Sequence, residues 1–276
     1  MLSRPFFRPD QLILALRDDQ PIGFAHAGFG PTADGSALDP EFGIVCALMI
    51  KPDEPIQEVG AELIKRAEGV LRADGAKRIQ AGGLYPIDPF YWGLYGSASS
   101  AGVPLTDTIN QQLFREAGYK QTRQFVMWER PLADFRPPID RFQMQIKRKY
   151  TVAVDNELDT TCWWEAAVCG SVERAEYSLP AIDGSSSAAT VQLWDMRHLR
   201  ESRGKRTVGL YSARFTADQY AQGFATFLLA DALRRLYASG ASHMEAVSPM
   251  DEAALSELFI GLGFAEIDRS TILEKM

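Results

Sequence analysis

The sequence predicts an α/β protein made of two similar units. Three observations carry this. A marked amphipathic helix lies between two strand-like segments over 208–247, the same order of parts occurs earlier in the chain, and the two stretches superpose when the sequence is slid against itself by 165 positions.

Val208 to Phe215 reads as a strand apolar on both faces, and the helix after it carries Ala225, Leu228, Leu229, Ala232, Leu233 and Leu236 at the three-and-four spacing of one apolar stripe. Ser239-Gly240 closes the helix. A short strand from His243 to Val247 follows, then a second helix and Leu262-Gly263-Phe264. Gln222-Gly223-Phe224-Ala225 opens the first of these helices. Backbone N–H groups there have no partner within the helix, and Gly223, lacking Cβ, lets an anion approach them, so this turn is the candidate phosphate site.

The earlier stretch repeats that plan. Leu12 to Arg17 and Ile22 to Phe29 form a hairpin, and Gly43 to Ile50 is a continuous apolar run. A helix with Leu63, Ile64, Ala67, Val70 and Leu71 on one face ends at Asp74-Gly75, and Lys77 to Gly82 is the next strand. At the offset of 165 no gap is needed over some seventy positions, and beyond Gly83 the offset falls to 145, leaving about twenty extra residues in the first unit. The boundaries are 1–132 for a first unit truncated at its start with an aromatic insertion at 84–105, 133–138 for a proline-rich linker, and 139–276 for the second unit. Strand exchange is expected to cover the open edge that the truncation leaves. Two fused units imply a monomer, a pseudo-dimer within one chain, rather than an obligate oligomer.

The chain has 276 residues, 46% of them apolar and 24% charged, as in soluble globular proteins. A net charge of −7 argues against nucleic acid or an anionic membrane as partner. Three cysteines make no disulfide framework and no zinc pattern, the three histidines are scattered, and no signal peptide or apolar span is evident. A cytoplasmic protein without a metal site is expected. Lys147-Arg148-Lys149 reads as a solvated face on a strand, with contact to an acidic substrate or to an outer phosphate of a cofactor as the lesser alternative, and Cys162 to Cys169 as an amphipathic helix packing its tryptophans.

The order of parts from Phe215 to Phe264 resembles the core of the GNAT acyltransferases. Phe215-Thr216-Ala217 stands for that family's Val-x-Pro, Tyr220 to Ala225 for its Arg/Gln-x-x-Gly-x-Gly/Ala loop with Gly223 and Ala225 matching, and Leu262-Gly263-Phe264 for its closing Leu-Gly-Phe. The resemblance implies an α/β fold, α+β in some schemes, of two GNAT-like units, each a mixed, mostly antiparallel central sheet flanked by helices. It implies acetyl-CoA or another acyl-CoA as co-substrate and acyl transfer to an amine of a small molecule or peptide. The pyrophosphate is expected at the N–H groups of Ala221, Gln222, Gly223, Phe224, Ala225 and Thr226, and the pantetheine arm along the strand edge at Phe215, Thr216 and Ala217. In the first unit Glu58 replaces the close-approach glycine and would repel a pyrophosphate, so the second unit is the cofactor unit.

The catalytic side departs from the family. Phe259 and Phe114 stand where a tyrosine often serves the leaving sulfur, and Glu252 and Asp107 where an asparagine is common. Glu245, Tyr211 and Ser248 remain as candidates, each also explicable as an exposed strand residue, a core residue and a turn former. Phe90, Tyr91, Trp92 and Tyr95 in the insertion form an acceptor-site wall or, alternatively, a loop packed down by its own aromatics or part of the contact between the units. Two other readings stay open, an acyl-CoA-binding pseudoenzyme and a scaffold that binds nothing.

Overall fold

A computed structural model describes residues 4–276 except 85, 86, 88, 89, 92–97, 100, 171, 185 and 200–203. Its strands are β1 (Leu12–Arg17), β2 (Gln20–Pro31), β3 (Leu38–Ile50), β4 (Arg78–Ala81), β5 (Val103–Pro104) and β6 (Lys120–Pro131), then β7 (Ala153–Asp155), β8 (Arg174–Ser178), β9 (Thr190–Asp195), β10 (Thr207–Ala213), β11 (His243–Pro249) and β12 (Ala265–Lys275). The helices are α1 (Ile56–Ala73), α2 (Thr108–Glu116), α3 (Arg141–Lys149), α4 (Trp163–Cys169), α5 (Ala217–Ala221), α6 (Phe224–Ala238) and α7 (Ala253–Gly261). Among the described residues no helix is long and apolar enough to cross a membrane.

All strands share one sheet, in the order β1-β2-β3-β4-β12-β6-β11-β10-β9-β8-β7, with β5 beside β12. The pairs β3–β4 and β10–β11 are parallel and the other pairs antiparallel. Helices α1 and α6 cover corresponding faces of the two halves. Leu63, Ile64, Ala67 and Leu71 of α1 pack on Val45 and Ile79, and Leu228, Leu229, Ala232 and Leu236 of α6 pack on Leu210 and Met244. Burying a stripe of this kind contributes roughly 1.5–3 kcal/mol per large side chain.

The last strand of each unit lies in the other unit's sheet. β6 of the first unit pairs with β11 of the second, Trp128 opposite Ala246, and β12 of the second pairs with β4 of the first, Leu273 opposite Ala81. These partners obey both offsets at once, since 81 and 246 differ by 165 and 128 and 273 by 145. The exchange therefore sits at the centre of the sheet, where β6 and β12 pair with each other. It leaves the β1 edge uncovered, contrary to the expectation that exchange would cover it.

Other expectations are corrected too. The repeat is not gapless: Leu48 of β3 pairs with Ala25 whereas its counterpart Ala213 pairs with Val191, so the second strand follows an offset of 166, and Ile13 opposite Ala25 against Tyr177 opposite Val191 puts the first at 164. Because side chains alternate along a strand, one residue of slip turns every side chain to the other face, and the core face chose the register. Lys147 to Lys149 end helix α3, not a strand, because the Asp140 carboxylate accepts from the Gln143 N–H and caps the helix start. Only Trp164 of the α4 tryptophans is buried, while Trp163 is largely exposed. Leu132, just before the linker, is fully buried and donates its N–H to the Ser242 carbonyl, and within the linker Phe135 packs against the second unit's core.

Candidate functional site

Strands β10 and β11 run together for three residue pairs, ending at Gly209 opposite Glu245, and then part. β10 continues to Ala213 along β9, and β11 continues to Pro249 along β6, so a wedge opens between them. Gly209 is required at the apex, since a Cβ there would meet the Trp194 indole nitrogen at 2.2 Å. The chain leaving β10 does not prolong the strand. Thr216 and Gln219 form a reciprocal capping box, which makes Thr216 the cap of α5 and Ala217 its first residue. The expected pantetheine edge at Phe215–Ala217 is therefore not strand; the free strand edge ends at Ala213.

Gly223 then adopts φ +76°, interrupts the helical path and starts α6. A residue with a side chain at this φ costs roughly 1–2 kcal/mol, which accounts for glycine here. Of the donors expected at this turn, Gln222 and Gly223 spend their N–H groups on the Asp218 and Tyr220 carbonyls. Intrahelical bonding of α6 begins with Phe227 to the Gly223 carbonyl, so Phe224, Ala225 and Thr226 present first-turn N–H groups. Helix α3 faces the turn, with Phe142, Gln143 and Ile146 nearest to Gly223. Between them lies a cavity of about 240 Å³ lined by Gln145, Lys149, Tyr150, Ala221, Gln222 and Phe224 among others. The turn thus combines free N–H groups, the positive end of a 15-residue helix and a lysine, a donor set suited to a phosphate.

The three catalytic candidates do not converge. Glu245 is 1% exposed, not the exposed strand residue the sequence allows, and it projects from the face of β11 opposite to Met244 and Ala246, which meet α6. Tyr211 is on that same face, where its ring lies under the Arg174 guanidinium and its hydroxyl is 3.4 Å from Glu165 and 3.6 Å from the Cys169 thiol. Arg174 and Glu165 form a buried ion pair. Burial works against the Glu165 charge, but hydrogen bonds from Thr161 and the Arg174 guanidinium leave its pKa below the ordinary value, while burial pushes the Cys169 thiol up. Ser248 points to the opposite face. Fully buried, it accepts from the Trp128 indole N–H at 2.9 Å and meets Ser256 at 3.2 Å, so it ties strands together rather than forming a turn.

The matching region of the first unit is closed. β3 and β4 also part, but the space between them and β5 measures about 20 Å³, and the Asn110 side chain of α2 donates to the Leu48 carbonyl at 3.2 Å. Leu48 is the counterpart of Ala213 and Asn110 of Leu255, whose side chain has no donor. Helix α1 starts at Ile56, directly after Pro55, so Glu58 lies inside an unbroken first turn with no left-handed break.

Phe114 and Phe259 are buried against Tyr119 and against Trp128 and Phe264, which places both in packing. Glu252 and Asp107 are N-cap residues; only Asp107 accepts a first-turn N–H, from Asn110. In the insertion, the Phe90 ring lies 4.2 Å from that of His26 and joins the cluster of Phe6 and Trp164, and Tyr91 is 2.9 Å from the His26 Nδ1, so the loop packs on the first unit and on α4 of the second. Trp92 and Tyr95 lie outside the described residues. Among the described residues no group of His, Cys, Asp or Glu is arranged to hold a metal. Sequence reasoning missed Asn110 and Trp128, whose roles depend on a strand and a carbonyl far away in the chain.

No family sequence model and no curated protein matches the chain. Solved structures do. A tandem GNAT protein from the clavulanic acid biosynthesis pathway matches with a TM-score of 0.61 at 11% identity, over 98% of this chain and 84% of its own. A GCN5-related N-acetyltransferase from Sphaerobacter thermophilus matches with a TM-score of 0.64 at 12% identity, over 96% of this chain and 80% of its own. A glucosamine N-acetyltransferase region of a fungal multi-domain β-N-acetylglucosaminidase matches with a TM-score of 0.66 at 16% identity, over 93% of this chain and 32% of that one. The chain therefore has the GNAT acetyltransferase fold, in a tandem of two units.

Proposed function

We propose that the second unit, 139–276, binds one acyl-CoA, acetyl-CoA in the simplest case, and that the protein transfers its acyl group to an amine of a small molecule or peptide. The parting of β10 and β11 beside the Gly223 turn carries this reading. The fold shared with solved acetyltransferases supports it. Acyl-CoA supplies an activated thioester. The N–H groups of Phe224, Ala225 and Thr226 take the pyrophosphate, Lys149 adds positive charge beside it, and the edge of β10 up to Ala213 offers backbone pairing to the pantetheine amides. In the first unit the Asn110–Leu48 bond and Glu58 oppose the same occupation. Residues 1–132, joined through 133–138, contribute β6 with Trp128 as the far wall of the wedge.

We assign the amine proton to Glu245, at the wedge apex on the Tyr211 face, directly or through a water. Tyr211 is a positioning residue through its place in the Glu165–Arg174 cluster, and Ser248 fixes β11 through Trp128. Isothermal titration with acetyl-CoA and turnover on an amine panel test the proposal. One site per chain is expected, and Glu245→Gln should lower kcat at least tenfold with unchanged acetyl-CoA affinity. Binding without turnover on any amine would identify an acyl-CoA-binding pseudoenzyme, a reading that the packed Phe259 favours; absence of binding would leave a scaffold.

A further inference from the structure

The segment that faces the Gly223 turn also completes the second unit's outer edge. Ile146 of α3 enters the core beneath α6, and Tyr150 packs on Phe224 with ring centroids 5.0 Å apart. The Thr151 N–H then donates to the Pro180 carbonyl at 3.1 Å, and β7 pairs with β8, Val154 opposite Tyr177. One helix-then-strand segment, 141–155, thereby fills the groove between α6 and β8 and covers the β8 edge.

The first unit has the same groove, and no described residue covers it. It lies between α1 and β1, encloses about 500 Å³, and is lined by Ile13, Ala15, Ile22, Val59 and Leu63, with Glu58 and Glu62 at its rim. Ile13 and Ala15 stand, by strand pairing, where Tyr177 and Leu179 stand in the second unit; Val59 and Leu63 are the counterparts of Phe224 and Leu228. β1 is the terminal strand of the sheet, and its Leu14 and Leu16 are 55% and 56% exposed. An apolar strand open at its edge with an apolar groove beside it calls for a partner strand and a partner helix together.

We propose that this seat receives a segment of another protein built like 141–155: an amphipathic helix, basic at its C-terminal end, followed by an extended stretch that adds antiparallel to β1. Charge placement supports that chemistry. Lys149 lines the cavity beside Gln222 and Phe224, the residues flanking Gly223, and the first-unit residue at that place is Glu58, an exposed carboxylate outside the ion pairs among the described residues. Glu62 is already paired with Arg66. A lysine placed as Lys149 is would fall beside Glu58. A second copy joined through β1 alone fits less well. Helix α1 lies over β2 and β3 more than over β1, so two β1-paired copies would leave the grooves open between their helices.

The probe is a synthetic peptide of residues 139–155, Ile139 to Asp155, labelled with a fluorophore and titrated with the full-length protein. Saturable one-to-one binding is expected, weakened at least tenfold by Val59→Asp and at least threefold by the surface change Glu58→Lys, which leaves the core untouched. Urea denaturation of each variant shows whether it remains folded. No saturable binding, or binding indifferent to Glu58→Lys, would overturn the proposal, the latter by showing that the peptide exchanges with α3 on the second unit. A concentration-dependent dimer in light scattering that Leu14→Lys abolishes would also overturn it, by making the seat a contact between copies.

Discussion

The two halves differ most at the turn that follows β3 in the first and β10 in the second. In the second half Thr216 caps a five-residue helix, Gly223 breaks the path at positive φ, and α6 starts afresh with free N–H groups facing a basic helix. In the first half the same stretch is one continuous helix from Ile56, with Glu58 where the break would be and with Asn110 closing the strand wedge. Both halves keep the sheet, the long helix and the exchanged last strand, because those bury apolar surface. The halves part company at residues whose backbone polar groups are either spent inside the protein or left for something else, and on the proposed reading that separates a structural unit from one that receives an anion.

The largest effect should come from breaking what the halves share. β12 lies between β4 and β6, with Leu273 and Ile272 almost fully buried. Ending the chain after Phe264 would strip a partner from both halves at once and expose two strand edges. No cooperative unfolding transition should be seen for that protein by urea denaturation followed by circular dichroism. A stable fold would mean that the first half completes its sheet with its own β6, and that the exchange is not obligatory.

The next comparison exchanges the residues that distinguish the turns. Gly223→Glu places a side chain at φ +76° and a negative charge among the α6 N–H groups; losing one charge-assisted hydrogen bond alone costs roughly 1.5–3 kcal/mol, so acetyl-CoA affinity should fall at least tenfold. Glu58→Gly should leave that affinity unchanged and cost about 1 kcal/mol of stability, as glycine does inside a helix. Isothermal titration reads both. Loss of binding in the Glu58→Gly protein would move the site to the first half.

Much of this was legible in the sequence. The α1 and α6 stripes and the Gly223 turn follow from spacings that repeat within a dozen residues, the two offsets from sliding the chain against itself, and the fold class followed from them. The one-residue slips in the hairpin strands were not legible, because hairpin length is set by turn residues while register is set by the core that the strand meets. Nor was the strand exchange placed correctly, since β6 and β12 read equally well as strands whichever sheet they join. At the candidate site, the burial of Glu245 was not legible, because a lone carboxylate on a short strand reveals nothing about what lies across from it. Lys147 to Lys149 looked like a strand face because the helix that holds them is short and its cap, Asp140, precedes only two buried side chains, Gln143 and Ile146.

A last comparison concerns what covers the second face of each half. The second half uses α4, held by the Glu165–Arg174 ion pair over Tyr211, whereas the first half uses the insertion, seated on His26. His26 is fully buried, its Nδ1 meets the Tyr91 hydroxyl, and its Nε2 has no hydrogen-bond partner among the described residues. Burial lowers its pKa from 6.5 to about 4, so between those values the unfolded chain binds a proton that the folded protein refuses. Stability is therefore full above pH 6.5 and drains away as the pH falls toward 4, by about 2 kcal/mol at pH 5. Glu165, with its pKa below 4.5, keeps its contribution at pH 5 and loses it only as the pH falls below about 4.5. Urea denaturation at pH 7 and pH 5 should accordingly show a loss in the wild type that His26→Gln, which keeps a polar group for Tyr91 but does not titrate, largely removes. An equal loss in the two proteins would mean that the acid sensitivity lies elsewhere and that the insertion is not held through a neutral His26.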